Sequence, residues 1–155
     1  MATELCLLSV PDSLLSEFRS DPERLYEFAE STEPAPFGAN HRNVEKFHFM
    51  LNATEAFVGG PRGIFESWFR PEQFAPYRIN DEAYGMPSTD VTQLLLAVSD
   101  LSDATLEQRW GEWRASHGIH GKDDDPSYFP ESFAALKRLC SEAAAKQHAL
   151  VWVAG

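Results

Sequence analysis

An α+β fold, with several helices packed on a small mixed sheet that includes the N- and C-terminal strands, is the architecture this sequence predicts. Three observations carry it. Apolar runs of strand character lie near both ends, Leu5–Val10 and Ala149–Val153. Between them, several segments carry apolar residues at the three–four spacing of a half-buried helix. No repeat, linker or low-complexity tract divides the 155 residues, a length that suits one domain covering positions 1–155.

The elements follow in order. Leu5–Val10 reads as a buried strand stopped by Pro11, which has no N–H for the ladder. A short helix over Asp12–Arg19 puts Leu14, Leu15 and Phe18 on one face. Asp21 suits an N-cap and Pro22 the first helical position, so a second helix runs to about Glu30 with Leu25, Phe28 and Ala29 inward. Thr32–Asn40, with Pro34, Pro36 and Gly38, reads as a loop. A helix over 42–51 aligns Val44, Phe47, His48 and Leu51.

Gly59-Gly60-Pro61-Arg62-Gly63 is the most flexible stretch, and Ile64–Tyr84 has no clean period. A helical piece is placed near Phe65–Phe69 and a strand near Ala83–Met86. Ser88 can cap a helix whose stripe is Val91, Leu94, Leu95 and Val98. Asp100–Asp103 interrupts it, and the next helix carries Leu106, Trp110 and Trp113. His117–Ser127 is a polar loop. A long helix then begins near Phe129, tolerates Pro130 in its first turn, and buries Phe133, Leu136, Cys140 and Ala143.

Composition narrows the function classes. With 13 Lys+Arg against 24 Asp+Glu the net charge is −11, which excludes a general phosphate-backbone binder, so no nucleic-acid partner is expected. At 43% apolar, with four Trp and eleven Phe, the chain can bury a real core. The apolar runs are too short to span a membrane, and no basic stretch introduces a signal peptide. Cys6 and Cys140 lie far apart in apolar segments and read as buried free thiols, consistent with a reduced, cytoplasmic setting.

Motifs with chemistry are sparse. There is no G-x-S-x-G, Walker-type loop, G-x-G-x-x-G or H-E-x-x-H, and no cofactor is expected. His117 and His120, followed by Asp123–Asp125, have the residue types of a divalent-ion site, but no cysteine completes a tetrahedral set; no metal is expected. The Gly59–Gly63 stretch can form a backbone anion nest with Arg62 as a forked donor, or simply a loop with a surface Arg. His48 faces the core, where an imidazole either ties two elements together or, beside a cleft and a carboxylate, serves as a base. Trp110 and Trp113 share a helical face and read as core.

The run Arg42-Asn43-Val44-Glu45-Lys46-Phe47-His48-Phe49-Met50-Leu51 resembles a motif of the YfbM-like family, small bacterial proteins carrying a domain of unknown function. Arg42 stands at its basic position, Phe47-His48 at its Leu-His pair and Leu51 at its later Leu, with Val44 where a Trp is usual. Tyr84-Gly85 with Val91–Leu101, and Phe129–Val153, resemble the middle and end of that family. The resemblance implies a compact bacterial α+β protein and no particular activity.

Two function classes follow. One is a non-catalytic protein-interaction module, such as an immunity-type protein, whose negative charge steers a basic partner. The other is a small enzyme or ligand-binding protein with a pocket around His48, in which Arg42 or Arg62 recognises an anion and Trp68 or Tyr84 forms an aromatic wall.

Overall fold

The structure, a computed structural model, describes residues 4–31, 35–40, 43–69, 77–118 and 128–154. The chain runs β1 (Glu4–Pro11), α1 (Asp12–Ser20), α2 (Glu23–Ser31), β2 (Ala35–Asn40), α3 (Val44–Asn52), a 3-10 turn (Pro61–Gly63), α4 (Glu66–Phe69), β3 (Ala83–Met86), α5 (Ser88–Ser99), α6 (Asp103–His117), α7 (Tyr128–Ala145) and β4 (His148–Ala154). The four strands form one sheet in the order β2-β1-β4-β3. Both end strands belong to it and occupy its centre, so the predicted α+β architecture holds.

The sheet is antiparallel throughout rather than mixed. Leu7 lies opposite Trp152 across β1 and β4, and Tyr84 lies opposite the same Trp152 across β3 and β4. Trp152 is thus shared between both neighbours of the central strand and is fully buried.

Helices cover both faces, which is why β1 and β4 read as nearly unbroken apolar runs instead of alternating ones. Leu7, Tyr84, Met86, Leu150 and Trp152 point into a large core with α3, α5, α6 and α7. Leu8, Val10, Ala83, Ala149 and Val151 point the other way, under Leu15 and Phe18 of α1 and Leu25 of α2. Burying each of those three helical side chains contributes about 1.5–3 kcal/mol. Gly85 lets Leu15 pack closely on the sheet, since a Cβ there would collide with Leu15 Cδ1 and force that side chain to shift.

Several sequence expectations change in detail. Ala35–Asn40 is a strand, not a loop: among the described residues β2 is the sheet edge and pairs with β1 alone, the position where Pro36 and Gly38 can be accommodated. Thr32–Pro34 lie outside the described residues. Ser88 does not cap α5 through its side chain; Pro87 occupies the N-cap position. Instead the Ser88 N–H and Oγ donate to the Asp12 carboxylate at 2.9 and 2.6 Å, joining the first turns of α1 and α5. A carboxylate beside two helix N-termini is favourable to both.

The remaining helices form where their periodicity places them. Arg24 and Leu25 N–H groups bond to Asp21 and Pro22 carbonyls and open α2. Ala53, in the left-handed region at φ 57°, ends α3. Ser102 caps α6 by accepting from the Thr105 N–H. Trp110 and Trp113 are core, and their indole N–H groups have no partner among the described residues. Among these residues no helix is long and apolar enough to cross a membrane.

Candidate functional site

The chemistry-bearing residues converge where α3 ends and the chain returns through the glycine-rich turn to α4. Helical spacing turns His48 inward from α3, where it is 1% exposed. Glu66, the first residue of α4, is fully buried beside it, with Oε2 at 3.8 Å from His48 Nε2. A buried carboxylate requires hydrogen-bond donors, and the preceding loop supplies them. Val58 N–H donates to Oε2 at 3.0 Å and Gly59 N–H to Oε1 at 2.9 Å.

Of the glycine-rich stretch, the Gly59 N–H meets a carboxylate, the chain's own Glu66, while Arg62 Nε donates to Asn52 Oδ1. Positive φ at Gly59 (66°) and Gly60 (61°) lets the main chain turn here, a conformation costly for residues bearing a Cβ. His48 secures the same loop one step earlier by donating from Nε2 to the Ala56 carbonyl at 3.0 Å. Asn52 Nδ2 lies 3.4 Å from His48 Nδ1 and donates to the His48 carbonyl at 3.1 Å.

Asn52 extends the network to Arg62. Its Nδ2 donates to the Arg62 carbonyl at 2.8 Å, and Arg62 Nε donates to its Oδ1 at 3.2 Å. From α6, Arg109 Nη1 donates to the Met50 and Leu51 carbonyls at the end of α3, at 2.7 and 2.9 Å. Burial, and secondarily the nearby Arg62 charge, lower the Arg109 pKa below the usual guanidinium range. At the far side of the loop, Glu55 Oε1 accepts from His117 Nε2 at 3.0 Å, and the His117 ring stacks on Trp113.

The outcome is a loop fixed from below and bare on top. Phe57 and Val58 are 44% and 41% exposed, adjacent apolar side chains on a backbone held by Glu66 and His48.

The candidate residues distribute unevenly around this site. His48 and Arg62 are brought together through Asn52. Tyr84 sits apart, on β3, buried and stacked on Trp152 at 6.0 Å. Arg42 and the Trp68 side chain lie outside the described residues, as do His120 and Asp123–Asp125. Among the described residues no group of three or more His, Cys, Asp or Glu side chains could hold a metal ion. Sequence reasoning missed Glu66, Asn52, Phe57 and Val58. The one available signal for Glu66 is a lone carboxylate inside the apolar run Ile64–Phe69, seven residues after the first glycine of the turn.

Compared with known proteins, the chain matches no family model, no curated protein and no solved structure.

Proposed function

We infer that this chain is a non-catalytic protein-interaction module that binds a basic protein, with Phe57 and Val58 as apolar anchors. The observation that carries this reading is the division of labour at the loop. Its polar groups are turned inward to fix the backbone, while its apolar side chains are turned outward. A fixed loop loses little conformational entropy on binding, and Phe is enriched at interface centres. The net charge of −11 favours a cationic partner by steering its approach. An immunity-type role, neutralising a basic protein, is the most specific form of this reading, and affiliation with the YfbM-like family belongs to the same proposal.

A small enzyme or ligand-binding protein with a pocket around His48 needs an accessible imidazole. His48 is 1% exposed, with Nε2 donating to the Ala56 carbonyl, and that burial supports the non-catalytic reading over this one.

The test is capture of a cationic protein from host extract at low salt, comparing the wild type with a Phe57→Ser/Val58→Ser variant. Salt-sensitive retention that the variant loses is expected. Equal retention by both would remove the loop from the interface, and no cationic partner would remove the reading itself.

A further inference from the structure

On the other side of the sheet from that loop, α1 and α2 form a hairpin over the second core. Leu15, Phe18 and Leu25 are consumed by packing on the strands, but Leu14 and Phe28 are only partly buried. They floor a surface groove of about 250 Å³ whose rim carries Glu17, Glu27 and Arg24. The groove shares Glu17 and Arg24 with a shallow depression of about 430 Å³ that also reaches Asp21.

Groove and depression together are lined by three carboxylates, Glu17, Glu27 and Asp21, against one guanidinium, Arg24. Arg19 is directed away, donating from Nη2 to the Gly85 carbonyl. Arg24 lies 3.7 Å from Glu17 and shows how a guanidinium can sit across this rim. Glu27 and Asp21 make no ion pair among the described residues.

We propose that the α1–α2 groove is a docking site for a lysine- or arginine-rich amphipathic protein segment. Such a segment seats an apolar side chain on Leu14 and Phe28 and places its cations on Glu17, Glu27 and Asp21. Charge complementarity selects this occupant. A second copy of the chain would bring the same −11, and nucleic acid or an anionic membrane would be repelled. This goes beyond the function proposed above, which assigns no contact to this face and shares with it only the basic partner.

The experiment is a titration of the 15N-labelled chain with a synthetic peptide carrying leucines and lysines at helical three–four spacing. Control peptides replace the leucines by serine or the lysines by glutamate. Saturable shifts centred on Leu14, Glu17, Glu27 and Phe28 are expected, with affinity about tenfold weaker in a Glu17→Gln/Glu27→Gln variant of unchanged circular dichroism. Glu27→Gln alone keeps the Glu17–Arg24 pair and should weaken binding by a smaller factor. Unaltered affinity in the double variant, equal binding of the serine–lysine peptide, or no saturable shift would each overturn the proposal. The Phe57→Ser/Val58→Ser variant should bind the leucine–lysine peptide as the wild type does. Failure of the loop as an interface and failure of the groove are therefore read separately.

Discussion

His48 and Glu66 face each other at 3.8 Å with almost no solvent contact, and both act on the same four residues of main chain. His48 holds the Ala56 carbonyl, and Glu66 holds the N–H groups of Val58 and Gly59. Side chains from two helices thus replace the regular hydrogen bonds that a loop lacks. The conformation of Ala56–Gly59 is a property of the core beneath it.

Replacing Glu66 by Ala should therefore do two things at once. The loss of charge-assisted bonds, with donors left unpaired, should cost on the order of 3 kcal/mol in urea denaturation. Hydrogen exchange at Val58 and Gly59 amides should accelerate more than at β4. Exchange that rises evenly across the chain would mean that Glu66 contributes only global stability.

Gly85→Ala tests the fit between sheet and hairpin. The new methyl would meet Leu15 Cδ1, and Val151 Cγ2 at 3.3 Å. Overpacking of this kind costs about 1–3 kcal/mol. Because the conflict is with one flexible side chain, Leu15→Ala combined with Gly85→Ala should be less destabilised than the sum of the two single changes, as a double-mutant cycle would record.

Cys140 gives the chain an alkaline weakness. Burial pushes its thiol from an ordinary 9.0 up to about 12. The neutral thiol is the folded form, so its contribution is intact below 9.0 and fades as pH rises toward about 12. Tyr77 shifts in the same direction, through burial first and then its 2.6 Å bond to Asp90 and that group's charge. Melting temperature should fall across this window, and less steeply in Cys140→Ala. The folded thiol should resist a thiol reagent until the chain unfolds.

Deleting residues 148–155 removes the central strand rather than an appendage. β1 and β3 both pair with β4, and Leu150, Val151 and Trp152 are fully buried. The truncated chain should lose its cooperative thermal transition. A sharp melt in that variant would mean that β1 finds another partner.

What was legible in the sequence was whatever repeats. Val44, Phe47, His48 and Leu51 announce α3, and Phe133, Leu136, Cys140 and Ala143 announce α7, because a buried stripe must recur every turn. β2 was not legible, since Pro36 and Gly38 argue against a strand until its edge position is known. Nor was the role of Ser88: its local pattern is that of a cap, yet Asp12, distant in sequence, takes its donors. The candidate site was legible only at His48 and Arg62. Glu66 is a single carboxylate whose partners are main-chain groups, and main-chain donors leave no mark in residue identity. The α1–α2 groove depends on how far apart two helices settle, which no single helix encodes.

The pairing of Leu5 with Ala154 gives the fold a single port. Facing residues of adjacent antiparallel strands lie about 5 Å apart, so a backbone entering at β1 departs almost where it came in. A unit with that geometry can be spliced into a surface loop of a host protein without prying the host's strands or helices apart. Joining 154 to 5 by a short hairpin and opening the backbone at Asp100–Ser102 would yield a permutant of identical architecture. Its β4–β1 pair would then be a local hairpin rather than a closure across the whole sequence, and stopped-flow refolding should be faster for it.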